Sequence, residues 1–406
     1  MANRDVTNRW YVLGLAAASL ALSFAMPQIC VSVLFKEISQ ELSLSPVEIG
    51  VVWGTVHLAG LFVLFVGGLL TDRYGAKRIL VITCFLAGVG GALRGVSGDF
   101  FSLVASTFLF GFMVSIMFAG AVKAAAILFS GRQFGTANGI MAAGMGFGFT
   151  LGAMISATLL SPLLGGWRNV FFFYGAVSVI VSLLWLFTVK EAGQSGASGS
   201  GSGLSLRQTV AQVLPVKSVW LMGLVLLGFV GCVQGMSGYL PLYLRESGWT
   251  AAGADGTLAA FAGVGAMAAI PIAVLSDRIG LRKAIIIPGL VVIITGVALL
   301  PVANMADSAI VWIIMIAMGI FRDASMTLCN TMTVEAEGVG PIYSGTAIGL
   351  MHTISRVGAV ISPPLGNSMV IISPASPFLL WAAFGLLAVV SLSFVKETGR
   401  RKVRIR

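Results

Sequence analysis

Thr71-Asp72-Arg73-Tyr74-Gly75-Ala76-Lys77-Arg78 returns 205 residues later as Ser276-Asp277-Arg278-Ile279-Gly280-Leu281-Arg282-Lys283. Each copy follows one long apolar stretch and precedes another. Two more pairs share nearly the same offset. Lys190-Glu191-Ala192-Gly193 returns as Lys396-Glu397-Thr398-Gly399, 206 residues on, and Gly135-Thr136-Ala137 as Gly345-Thr346-Ala347, 210 on. Three matches at close to one period describe a duplicated chain.

The solvent of that chain follows from its composition. Of 406 residues, 57% are hydrophobic and 10% charged, whereas a soluble domain carries about a quarter charged residues. Such a chain could not cover its surface in water, but lipid accepts apolar side chains. A spanning helix needs roughly 20 mostly apolar residues. The sequence predicts them at 10–33, 48–70, 79–97, 101–128, 134–160 and 169–189, then at 218–243, 254–275, 283–302, 307–332, 342–370 and 376–395. Trp10 to Val33 is too long for a signal-peptide core and is read as the first span. Gly and Pro inside these stretches are compatible with spanning helices. A Gly/Ser run, 193–203, marks the boundary of the halves. The expected fold is an all-α membrane protein: twelve transmembrane helices in two pseudo-symmetric six-helix bundles, 1–192 and 217–406, joined by a cytoplasmic linker, 193–216.

Charge orients it. The net charge is +10, which by itself would suit nucleic acid or anionic lipid. Eighteen Lys and Arg fall in the termini and in the loops on their side; four, Lys36, Arg94, Arg168 and Arg245, fall on the other. The positive-inside rule therefore puts both termini in the cytoplasm of a cell (inner) membrane, and no nucleic acid is expected. Cys30, Cys84, Cys232 and Cys329 are isolated in apolar stretches and read as small hydrophobes.

Gly68-Leu69-Leu70-Thr71-Asp72-Arg73-Tyr74-Gly75-Ala76-Lys77-Arg78 resembles the GxxxDRxGxKR loop signature of the major facilitator superfamily. The second copy keeps the loop but has Ala273 where the first glycine stands in the first copy. Gly165-Gly166-Trp167-Arg168 and Pro363-Pro364 are also similar to family features. Gly139, Gly148 and Gly152 fit the spacing of the family's antiporter motif, with Ala153 in place of its proline. The resemblance implies parallel six-helix repeats and alternating access. It also implies a conformational latch at Asp72, Arg73 and Gly75 and, in the second copy, at Asp277 and Arg278. Physically, a carboxylate at a helix start is favoured, a glycine permits the turn, and basic residues hold the loop at an anionic leaflet.

Ionisable residues inside a bilayer are costly and are functional candidates by default. Lys123 lies in the fourth span, nearer the cytoplasmic end, and could either contact cargo or snorkel. Arg322 and Asp323 adjoin in the tenth span, about 22 Å along it, and Arg356 is central in the eleventh. His57 and His352 lie in the second and eleventh. None of the charges has a charged counterpart one repeat away, so they are assigned to the cargo rather than to the scaffold. The resemblance places spans one, four, seven and ten around a central cavity. Gln28, Lys123, Gln234, Arg322 and Asn330 would then face it, with Tyr239, Tyr243 and Trp53 as aromatic wall or packing. Arg356 is expected to bind cargo or to pair with Asp323. Asp323, His57 and His352 are the candidates for ion coupling.

A surplus of buried positive charge calls for an anionic visitor, and the planar fork of Arg suits a carboxylate. The expectation is a secondary active transporter of a small organic anion, a carboxylate, driven by an ion or substrate gradient, with a proton or counter-substrate as the coupled partner, and acting as a monomer. The alternative is a proton-coupled efflux antiporter for amphipathic drugs. That would need an apolar cavity with a membrane acid. The many Met and Phe residues suit such a cavity and the basic surplus does not. No HExxH, GxSxG or P-loop occurs, so no enzyme, no cofactor and no metal centre is expected.

Overall fold

A computed structural model describes residues 2–63, 70–71, 73–129, 132–189 and 211–399. Asp72 and the Gly/Ser run at 193–203 lie outside the described residues. Helices make up the fold: α1 (Ala2–Ala18), α2 (Met26–Val33), α3 (Phe35–Leu42), α4 (Pro46–Val63), α5 (Ala76–Val96), α6 (Phe100–Leu128), α7 (Arg132–Ile155), α8 (Ser161–Leu164) and α9 (Trp167–Thr188), followed by α10 (Lys217–Glu246), α11 (Ala251–Ile279), α12 (Lys283–Ala306), α13 (Ser308–Val334), α14 (Gly340–Ser368) and α15 (Ser376–Phe394). The polar backbone groups of a chain in lipid must be hydrogen-bonded internally, and the helix does so within one segment.

Among the described residues, eleven helices are long and apolar enough to cross a membrane. The eleventh expected span, 342–370, coincides with the helix α14, which is not among these eleven and whose 29 residues include His352, Arg356 and several Ser and Thr. Large apolar side chains such as Phe187, Met267, Ile313 and Leu379 point outward and are exposed. That inverts the soluble rule and fits a lipid surround.

The chain divides into two compact units. One holds 1–198 together with 245–262; the other holds 199–244 and 263–406. In the first unit, α1 and α2 are joined by a π-helical stretch, Ser19–Ala25. The buried Trp185 indole of α9 donates to Ser19 Oγ at 2.8 Å, and Ser19 Oγ donates to the Leu15 carbonyl at 2.8 Å. Gly148 and Gly152 of α7 let that helix close on this strand of chain: a methyl at Gly148 would lie 2.7 Å from the Ala21 backbone, and one at Gly152 2.8 Å from Met26 Cα. Helix α9 is stitched to α5 by Ser178 Oγ, donating to the Cys84 carbonyl at 2.8 Å, and by Ser182 Oγ, donating to that of Val81 at 2.7 Å. Small residues and interhelical hydroxyls are the usual means of helix packing in lipid.

In the second unit, α13 packs between α12 and α14. Thr333 Oγ1 on α13 lies 2.9 Å from Met351 Sδ on α14, and Trp381 of α15 donates to the Ser362 carbonyl at 3.1 Å. One detail of the duplication escapes the motif search. Asp99 caps α6, accepting from Ser102 N at 2.8 Å, and Asp307 caps α13, accepting from Ala309 N at 2.9 Å. Both carboxylates satisfy free N–H groups at the start of the fourth and tenth spans.

Candidate functional site

In the second unit, α13 and α14 bring three predicted residues to one place. His352 Nε2 lies 3.0 Å from Asn330 Oδ1. Arg356 stands one helical turn beyond His352, close enough for its charge to act on the imidazole, and is half-buried. Among the described residues Arg356 has no carboxylate partner.

Asp323 belongs to Arg322. The guanidinium of Arg322 donates from Nε to Oδ1 at 2.7 Å and from Nη2 to Oδ2 at 2.9 Å. Helix α11 makes room for this fork with Gly265, where a Cβ would lie 3.0 Å from Asp323 Oδ2 and 3.1 Å from the Gly319 carbonyl. The pair is therefore a neutral unit on α13, and the structural pairing of Arg356 with Asp323 considered from sequence is absent here.

The first-unit candidates are more dispersed. Gln28 on α2 is 3% exposed, and among the described residues neither its amide nitrogen nor its oxygen has a hydrogen-bond partner. A buried, unsatisfied amide is rare in a folded protein. Lys123 on α6 reaches the Thr71 carbonyl at 3.4 Å, so its ammonium sits at the loop that carries the repeat signature. His57 is half-buried on α4, and Gln234 half-buried on α10. Tyr239 and Tyr243 stack with Phe378 and, for Tyr239, with Trp381, and Trp53 meets Phe35 edge-on; all three are packed aromatics.

At the loops, Gly75 adopts φ 82°, and Arg73 is exposed beside the Tyr74 ring. In the second copy Asp277 accepts from Arg282 Nη1 at 2.5 Å while Arg278 is exposed. Arg282 also donates to Glu335 at 2.9 Å, and hydrogen bonding to Glu335 raises its pKa above the usual arginine value. Glu397, from the repeated Lys-Glu-x-Gly motif, accepts the backbone N–H groups of Arg282 and Lys283 at 2.9 and 3.0 Å. Burial pushes its carboxyl up, but these donors and those of Thr398 and Gly399 outweigh it and hold the pKa below the usual range. The Gly-Gly-Trp-Arg motif has a similar purpose at the start of α9. Gly165 and Gly166 take positive φ, and Trp167 and Arg168 both bond Glu41, at 2.6 and 2.9 Å. Those bonds, that from Arg168 first, lower the Glu41 pKa.

Sequence reasoning missed three charges. Arg94, read as an outer-loop residue, is wholly buried in the last turn of α5, its guanidinium 4.1 Å from the Phe110 ring centre and 4.7 Å from that of Phe171. Arg245, read the same way, is buried at the end of α10 and paired with Asp255 and Glu37. Asp255 was inside a predicted span yet was not counted among its charges; it is fully buried. Span-end residues look like loop residues to a hydropathy count, and only the partners distinguish them.

Helices of this length and composition define a polytopic membrane protein. Residues 13–363 match the Major Facilitator Superfamily, and the chain belongs to that family. It is 24% identical over 383 residues to a protein of Cupriavidus necator named as a probable sulfoacetate transporter, covering 88% of this chain and 86% of that one. It is 28% identical to a probable galactarate/D-glucarate transporter of Escherichia coli K12, over 40% of this chain and 37% of that one. It is 23% identical to the sialic acid transporter of the same organism, over 80% of each. A bacterial homologue of the human lysosomal transporter Spinster has the same fold, with a TM-score of 0.80, 15% identity and 96% of each chain covered.

Proposed function

We propose that this chain moves a small organic anion bearing a carboxylate across the cell inner membrane, by secondary active transport with alternating access. The observation that carries the reading is Arg356: a half-buried guanidinium in the middle of α14 with, among the described residues, no carboxylate to neutralise it. A buried cation without a partner is strongly unfavourable, and the anion that relieves this is the cargo. His352 and Asn330, bonded to each other one turn away, supply neutral polar groups for the rest of a hydroxylated or substituted acid. Sulfoacetate, galactarate, D-glucarate and sialic acid, the cargoes in the relatives' names, all carry a carboxylate, which supports this reading.

Gln28, Gln234, Arg322 and Lys123 complete the candidate set, with Lys123 tied to the signature loop. Asp323, His57 and His352 are the ion-coupling candidates named from sequence. The charge asymmetry of the loops supports a cytoplasmic position for both termini. The latch assigned to Asp72, Arg73, Gly75, Asp277 and Arg278 rests on the signature. The reading is tested by thermal shift of the purified protein against D-glucarate, sulfoacetate, neutral sugars, phosphate and lipophilic cations. Stabilisation by the carboxylates alone, abolished in Arg356→Gln, is the expected result. Stabilisation by lipophilic cations alone would point to the drug-export alternative.

A further inference from the structure

We propose that Asp255 is the carboxyl group that takes up and releases the coupled proton, with Arg245 and Glu37 governing its occupancy. This deepens the reading of the chain as a gradient-driven transporter and rests on it. All three residues belong to the first unit.

The geometry is one cation shared by two carboxylates. Arg245 donates from Nη2 to Asp255 Oδ2 at 2.5 Å, and from Nη1 to Glu37 Oε1 and Oε2 at 2.9 and 3.2 Å. One guanidinium can cancel one negative charge, so the trio carries an excess of one when both acids are ionised. The two acids differ in where that excess can reside. Glu37 has a side chain 35% exposed and can be hydrated. The Asp255 side chain is wholly buried, and among the described residues its Oδ1 has no hydrogen-bond partner. Buried carboxylate oxygens are normally bonded, and leaving an ionised one bare inside the protein is unfavourable.

The other charges nearby do not relieve it. Lys36 sends its ammonium to the Arg245 carbonyl at 3.4 Å and also acts on Glu246. The charges that act on Asp255 itself are those of Arg245 and Glu37. A proton delivered by hydronium forms an O–H bond at Oδ1 and leaves water behind, and no other bond changes. Arg245 stays charged and then has Glu37 as its single ionic partner. The proton therefore controls whether the first turn of α11 is held ionically to the last turn of α10, which gives it a mechanical consequence. Asp323 lacks this property, since both of its oxygens are already bonded by Arg322.

The test is an infrared pH titration of the purified full-length protein, following the C=O stretch of protonated carboxyl groups, with no cargo present. The expected result is a band at the high-frequency end of that region, where a buried carboxyl without a hydrogen bond absorbs apart from the hydrated acids, that appears on acidification in the wild type, disappears in Asp255→Asn and survives in Glu37→Gln. In Glu37→Gln the whole guanidinium is free for Asp255, so the band should need a lower pH to appear. That second shift keeps the test decisive should Asp255→Asn fail to fold. A band that persists in Asp255→Asn, one that is lost in Glu37→Gln, one that does not move in Glu37→Gln, or no titrating band in the wild type would each overturn the proposal. Because no cargo is used, an error in the carboxylate assignment at Arg356 leaves this result unaffected.

Discussion

The Asp323 carboxylate takes both of its bonds from its own neighbour Arg322, which leaves Arg356 on the adjacent helix without an ionic partner among the described residues. A fork between consecutive residues on one helix requires both side chains to turn to the same side, and the absence of a Cβ at Gly265 gives them the space.

Asp323→Asn therefore removes the ionic partner that both bonds of Arg322 address. The pair is partly exposed, with side chains 17% and 32% accessible, so the loss lies between that of a surface pair and that of a fully buried one, about 1–3 kcal/mol. A lower melting temperature in detergent is expected, with recovery in the double variant Arg322→Met/Asp323→Leu, which removes both charges. An unchanged melting temperature in the single variant would contradict the account.

Gly265→Ala places a methyl against Asp323 Oδ2 and the Gly319 carbonyl. Overpacking of this kind costs about 1–3 kcal/mol. The melting temperature should fall, and the loss should shrink when Asp323 is also shortened to alanine, because one of the two clashing groups is then gone.

Arg94 makes a different prediction. Its guanidinium is stacked between Phe110 and Phe171, and its two terminal nitrogens have no hydrogen-bond partner. Arg94→Met fills the same slot without a charge and should be at least as stable as the wild type, since well-packed apolar replacements of buried charges are often neutral or stabilising. Arg94→Ala leaves a cavity and should lose about 2–4 kcal/mol. Melting curves of the two variants side by side decide it.

Glu397 gives a pH dependence with a definite sign. Its carboxyl is held below the usual range in the folded protein by backbone N–H donors that outweigh burial. The stabilisation is thus present above the unfolded carboxylate pKa and is lost as pH falls through the lower folded value. Glu397→Gln should lose about 1 kcal/mol at neutral pH, as for other caps. Its stability should fall less than the wild type's on acidification through and below the ordinary carboxylate range. Parallel falls in the two proteins would argue against the cap.

The all-α membrane fold was legible because lipid forces long apolar runs, and the loop copies around Gly75 and Asp277 marked where those runs end. The site was legible only in part. Arg356, His352 and Asn330 declared themselves as polar residues in apolar stretches. Arg94 and Arg245 did not, because they stand in the last turns of their helices, and their partners Phe110, Phe171, Glu37 and Asp255 come from other helices. Helix α14 falls short on hydropathy because it carries His352 and Arg356, the residues assigned to the cargo. The π-helical stretch at Ser19–Ala25 has no composition signal at all; it is set by packing against Trp185 and α7.

Uptake by proteoliposomes of labelled D-glucarate and sulfoacetate, compared between the wild type and Arg356→Gln, tests the central claim most directly. A charged hydrogen-bond partner for the cargo contributes about 1.5–3 kcal/mol, so saturable uptake of at least one anion should drop roughly tenfold or more in the variant. Undiminished uptake of every anion by a correctly inserted Arg356→Gln protein would contradict the account.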